Sequence, residues 1–130
     1  MKSELFWKVC TRAGKSFHRD PDGKKVDYRA VCGSRRQVSV ARNRRGYMLC
    51  TSGVLHASRE LGDALYYVAA RNSFVSGHRR RDFTVYRVRG RVVADSAIGP
   101  PKVGCHSLTV VGGPYSYREA RRLAELDGSF

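Results

Sequence analysis

Leu5, Trp7 and Val9 alternate with Phe6, Lys8 and Cys10, the period of two by which a strand sends successive side chains to opposite faces. The segment predicts an opening strand with one strongly apolar face, seated in the core and ended by Gly14. From Lys15 to Lys25 the chain is rich in charge and carries Asp20-Pro21-Asp22-Gly23. Proline presets one turn dihedral and glycine accepts a positive φ, so an exposed hairpin tip or loop is expected there. Three short extended segments follow, Tyr28 to Cys32, Gln37 to Arg42 and Tyr47 to Ser52. They are divided by Gly33-Ser34-Arg35-Arg36 and Asn43-Arg44-Arg45-Gly46, which places the basic residues on turns. Val38 and Val40 share one face, as do Tyr47 and Leu49, and Val54-Leu55 extends the last strand or starts another.

Helical spacing takes over at Leu61, Ala64, Leu65 and Val68. Ser58 stands where an N-cap is needed, and Glu60 and Asp63 fall in the first turns, where the helix dipole favours anions. A helix is expected over about 59 to 71. Phe83 to Arg89 alternates cleanly, and after Gly90 a further strand, Arg91 to Ala94, forms a hairpin or a bent continuation. Gly99-Pro100-Pro101 and Gly104 separate this region from a short buried strand, Leu108 to Val111, ended by Gly112-Gly113-Pro114. Ser116-Tyr117-Arg118-Glu119 reads as a capping box, opening a helix that carries Ala120, Leu123 and Ala124 and stops near Gly128. Together these elements predict one α+β domain over residues 1–130, a mainly antiparallel sheet of five to seven strands with two helices.

Charge changes the reading most. The 130 residues carry a formal net charge of +14, a self-repulsion that a polyanion or acidic surface would relieve. Nineteen of the 25 cationic side chains are arginine, whose planar fork binds phosphate and carboxylate bidentately and stacks on bases. With 42% hydrophobic residues the chain is too apolar for a disordered basic tail. It has no signal-peptide-like apolar run and nothing near the roughly 20 apolar residues that span a bilayer, so a cytoplasmic protein with no membrane partner is expected. Cys10, Cys32, Cys50 and Cys105 form no C-x2-C pair, which argues against a zinc site; the alternatives are two disulfides or reduced thiols, and the apolar strand-like runs around Cys10 and Cys50 favour the thiols. No metal and no cofactor are predicted.

The candidate site is therefore a distributed basic surface of Arg35, Arg36, Arg42, Arg44 and Arg45, of Arg79, Arg80 and Arg81, and of a row formed by Arg87, Arg89 and Arg91. The row would line one solvated sheet face unless Gly90 breaks its register. The partner expected is nucleic acid or a nucleoprotein complex, with an acidic protein surface as the alternative, read through backbone or shape because no base-reading motif is present. Tyr66, Tyr67, Tyr86 and Phe74 are stacking candidates if nucleic acid is bound, with the core the favoured place for each. No complete catalytic motif occurs, so a non-enzymatic binding protein is the leading expectation. The alternative is a metal-independent ribonuclease toxin using His18, His56, His78 or His106, with His56 best placed beside the Ser58-Arg59-Glu60 helix start.

Gly46-Tyr47-Met48-Leu49-Cys50, Leu55-His56-Ala57-Ser58, Asp63-Ala64-Leu65-Tyr66-Tyr67 and the strand Tyr86-Arg87-Val88 resemble small uncharacterised phage-encoded proteins over about residues 46 to 95. That resemblance implies an accessory protein that occupies a host machine, such as a nucleic-acid-guided defence complex, and inhibits it. The strand, helix, strand order is also remotely similar to the core of ADP-ribosyltransferases. That similarity implies an NAD-holding site with Lys8 at the early basic position and Ser52 at the middle element, whereas Glu119 and Glu125 fall on the last helix and not on a strand.

Overall fold

The computed structural model describes residues 3–19, 25–33, 37–39, 54–69, 83–96 and 101–128. In chain order these form β1 (Glu4–Thr11), β2 (Lys15–Arg19), β3 (Lys25–Asp27), a 3-10 turn (Arg29–Val31), β4 (Gln37–Ser39), β5 (Leu55–Ala57), α1 (Leu61–Ala69), β6 (Phe83–Gly90), β7 (Ala94–Ser96), β8 (Lys102–Cys105), β9 (Ser107–Ser116) and α2 (Tyr117–Asp127). The class is α+β. Among the described residues the strands divide into three antiparallel sheets, ordered β1-β6-β9-β4, β2-β3 and β5-β8-β7.

The central sheet is covered on both faces, and the alternation of β6 shows how. Tyr86 and Val88 point into a core shared with Phe6 and Cys10 of β1, Val26, Tyr28, Leu55, Val103 and Leu108. Phe83 and Val85 point the other way, against Leu61 and Leu65 of α1 and Tyr117, Ala120 and Ala124 of α2. The result is three layers: helices, central sheet, and the two small sheets with the 3-10 turn. The face of Leu5, Trp7 and Val9, the more apolar in sequence, is the less buried one. Phe6 and Cys10 are fully buried, while Trp7 and Val9 only flank the helix-side core and Leu5 is exposed.

The hairpin expected around Asp20-Pro21-Asp22-Gly23 is framed by β2 and β3, and the tip itself lies outside the described residues. Its ladder shifts register between Lys15 and Arg19, where the Ser16 hydroxyl accepts from the Val26 N–H at 2.9 Å. Tyr28 to Cys32 is not a strand. The Asp27 carboxylate accepts from the Ala30 N–H at 3.0 Å and the Cys32 N–H donates to the Arg29 carbonyl at 3.2 Å, local bonds that close a turn in place of a ladder. The helix expected from residue 59 begins at Leu61. Ser58 is taken up in an antiparallel bridge, its N–H donating to the Trp7 carbonyl at 2.9 Å and its carbonyl accepting from the Trp7 N–H at 2.7 Å.

Two departures lie in the C-terminal half. Gly112-Gly113-Pro114 does not end a strand; β9 continues through it to Ser116, and its register with β6 slips between Val85 and Val88. Lys102–Cys105, expected as breaker-rich, is instead the middle strand of the three-stranded sheet. The capping box stands as read: the Ser116 hydroxyl accepts from the Glu119 N–H and the Glu119 carboxylate from the Ser116 N–H, both at 3.1 Å, and Gly128 closes α2. Among the described residues no helix is long and apolar enough to cross a membrane.

Gly14 and Gly33 form a matched pair for testing the packing of the turn. Their φ values are +80° and +79°, but a Cβ on Gly14 would lie 2.5 Å from both the Arg29 Cβ and the Tyr86 hydroxyl, whereas one on Gly33 meets nothing within 4 Å. Gly33→Ala is expected to cost about 1–2 kcal/mol of left-handed strain, and Gly14→Ala a further 1–3 kcal/mol or so of overpacking. Chemical denaturation of both variants measures the difference directly; equal losses would show that the Gly14 turn yields freely.

Candidate nucleic-acid interface

The helix layer covers only one end of the central sheet. Along the helix-facing side of β6, Phe83 and Val85 are buried, Arg87 is half-buried and Arg89 is exposed. Register sets what lies beside them: Trp7 pairs with Arg87 and Leu5 with Arg89 across β1, while Gly112 and Thr109 oppose them across β9. Leu5 and Val111 follow the same alternation, each next to a buried residue of the opposite face, and expose 41% and 45% of their surface. An uncovered shelf results, with an apolar and arginine floor and a wall where the helices begin.

The wall is an aromatic and guanidinium cluster. The Arg87 guanidinium carbon lies 4.4 Å from the centroid of the Trp7 ring, within the range of a cation–π contact. Tyr115 stands next to Trp7 with ring centroids 6.0 Å apart and a tilt of 59°, the offset geometry aromatic quadrupoles favour. Gly112 makes room for both neighbours, since a Cβ there would lie 3.2 Å from the Arg87 Cβ and 3.4 Å from the Tyr115 hydroxyl. Burial lowers the pKa of Arg87, while Tyr115 and the Asp127 carboxylate at the end of α2 favour its charged form.

Of the arginines singled out from sequence, Arg87 and Arg89 share this face. Arg91 is exposed just past Gly90, where the chain leaves the central sheet and the Val93 N–H donates to the Gly104 carbonyl at 2.9 Å. Arg35, Arg36, Arg42, Arg44, Arg45, Arg79, Arg80 and Arg81 lie outside the described residues. Two further cations sit on the same side of the sheet: Arg118 and Arg122 are exposed on α2, turned away from the buried Ala120 and Ala124. Arg89, Arg91, Arg118 and Arg122 make no ion pair with a described carboxylate.

Arg59 contrasts with them. Its Nη1 reaches both Asp95 oxygens at 3.0 and 2.9 Å and its Nε reaches Glu4 at 3.3 Å, while its guanidinium lies 5.9 Å from the centroid of the Phe6 ring. It ties β1, β7 and the β5–α1 junction together and is a structural cation. His56, beside it, is half-buried in β5 opposite Gly104. His106 is half-buried between β8 and β9; His78 and the side chain of His18 lie outside the described residues, as do Ser52 and Phe74. Among the described residues no three His, Cys, Asp or Glu side chains gather as a metal site.

Trp7 and Tyr115 were not among the stacking candidates. Tyr86 is fully buried in the core, and Tyr66 is partly exposed on α1. The missing signal is register: Trp7 joins the cluster with Arg87 only because β1 pairs with β6, and no local pattern around residue 7 carries that pairing. No protein-family model, curated protein or solved structure matches the chain.

The opposite face of β1 carries a second electrostatic feature. Lys8 lies between the buried Phe6 and Cys10, its ammonium 5.7 Å from the centroid of the Tyr28 ring, and burial lowers its pKa, with the Cys10 and Cys105 thiols acting against that and Lys102 adding to it. Burial also pushes the Cys10 and Cys105 thiols up to about 12; both are free, as is Cys32. Between the ordinary thiol value of 9.0 and about 12 the folded state keeps protons that the unfolded chain releases, so stability falls as pH rises through that window. Lys8 has the opposite sign, because the unfolded chain binds its proton more tightly, so its penalty is present at neutral pH and fades as pH rises toward the ordinary lysine range. Lys8→Met is therefore expected to raise the melting temperature at pH 7, with the gain shrinking towards about pH 10.4. Thermal melts across pH check this, and an unchanged melting temperature at pH 7 counts against a destabilising ammonium.

Proposed function

We propose that this chain is a small basic binding protein that engages nucleic acid, free or within a nucleoprotein complex, through arginine side chains and without catalysing a reaction. The observation that carries the reading is the unequal use of charge. Most described carboxylates are spent within the fold: Glu4 and Asp95 on Arg59, Glu125 on Arg121, Glu119 in the capping box and Asp27 in the 3-10 turn. Arg89 on the sheet face, Arg91 just past it, and Arg118 and Arg122 on the outer side of α2 are exposed with no such partner among the described residues. Guanidinium groups without an ion-pair partner among the described residues, on a chain of net charge +14, attract phosphate oxygens, which they bind through paired N–H donors. Each phosphate contact releases condensed counterions, so affinity is tied to salt concentration.

Anisotropy titrations of a labelled oligonucleotide over a range of salt test this. The affinity is expected to fall steeply, and Arg89→Ala to reduce the log–log slope by about 0.7 to 0.9, the share of one lost phosphate contact. A flat salt dependence would overturn the reading. Retention of a host partner after nuclease digestion of the lysate would overturn it as well, and would assign the arginines to an acidic protein surface.

A further inference from the structure

We propose that the uncovered end of the central sheet is a stacking shelf for an unpaired nucleobase, so that the ligand of the arginine face is single-stranded nucleic acid. This deepens the nucleic-acid reading above and rests on it.

Three features of the shelf point to a base and not to phosphate alone. The first is the wall: Arg87 is already laid on the Trp7 ring at 4.4 Å, with Tyr115 against the same indole. A phosphate site needs charge but has no use for an aromatic cluster; a base needs a flat, polarisable surface, and stacking on aromatic side chains and guanidinium planes is how unpaired bases are held. The second is the floor, where Leu5 and Val111 keep large apolar surfaces in solvent on either side of the Arg89 row. They offer the face of a base an area to dehydrate. The third is geometry: Arg89 lies two residues from Arg87 on the same strand face, about 7 Å along the sheet, so a base at the wall leaves its backbone phosphate beside an unpaired guanidinium.

The shelf suits a single strand better than a major groove. That groove admits a helix or a two-stranded ribbon, whereas this shelf is a face of a broad sheet with a helix layer rising at its margin. Bases in a duplex also have their faces covered by neighbours, so the indole would have nothing to meet. The slip of register on β9 belongs to the same arrangement, since it brings Gly112 opposite Arg87, where a Cβ would lie a tight 3.2 Å from the Arg87 Cβ.

Trp7 is the sole tryptophan of the chain, so its emission reports on the shelf without a label. The wild-type chain is titrated with a single-stranded DNA oligonucleotide, its RNA counterpart, the corresponding DNA duplex, and an abasic deoxyribose-phosphate strand of equal length. The expected result is saturable quenching by the single strands, with affinity roughly tenfold above the abasic strand and no quenching by the duplex; the DNA and RNA arms identify the source of the base. Arg87→Lys, which keeps the charge but loses the planar stack, is expected to bring single-stranded affinity down to that of the abasic strand with an unchanged melting temperature. Arg89→Ala is expected to weaken all three strands alike. If abasic and base-bearing strands bind equally and Trp7 emission stays constant, the shelf is overturned while the nucleic-acid reading stands. If no strand binds, both fall.

Discussion

Strand β6 must fill two cores at once, and the rest of the structure is arranged around that demand. Its even-numbered positions supply Tyr86 and Val88 to the core beneath the small sheets, and its odd-numbered positions supply Phe83 and Val85 to the core beneath the helices. A strand buried on both faces cannot slip by one residue without exchanging its two hydrophobic sets. The pairing with β1, unbroken from Glu4 opposite Gly90 to Thr11 opposite Phe83, fixes its position. Because the helices extend over only part of that length, the same odd-numbered face ends in Arg87 and Arg89. The cationic shelf is thus the continuation of a core face past the edge of its cover.

Electrostatics divides the arginines by what they can reach. Arg59 is held between Glu4 and Asp95, from strands far apart in sequence, and its charge is used to join layers. Arg121 is paired along α2 with Glu125, a solvent-exposed contact worth only a few tenths of a kcal/mol. Arg87 gives up part of its hydration but gains the Trp7 face and a nearby carboxylate. Arg89 and Arg91 have neither among the described residues. The described arginines thus grade from a structural clamp to exposed surface cations.

Much of the fold was legible where the information is local. The capping box at Ser116 and the stop at Gly128 and the strand through Phe83 to Arg89 each depend on neighbouring residues, and each stands in the structure; around Asp20-Pro21-Asp22-Gly23 the flanking strands pair, and the turn itself lies outside the described residues. What failed depended on long-range partners. Tyr28 to Cys32 has strand-like composition but is closed into a turn by Asp27, and Ser58 is not the N-cap because it pairs with Trp7 in a bridge and α1 begins only at Leu61. Gly112-Gly113-Pro114 looks like a terminator, yet β6 draws it into the ladder. The candidate site shows the same division: the arginines were visible as charge, whereas Trp7 and Tyr115 join Arg87 only through the order β1-β6-β9.

The small bridge between Trp7 and Ser58 has a further effect. β1 is an outer strand of the central sheet, and such a border displays a row of unsatisfied amides and carbonyls on which another copy can template itself. By occupying both backbone groups of Trp7 near the midpoint of that border, the β5–α1 junction breaks the row into pieces too short for a second molecule to add a strand. One pair of hydrogen bonds and the positive charge of the chain thus both act against strand addition along this border.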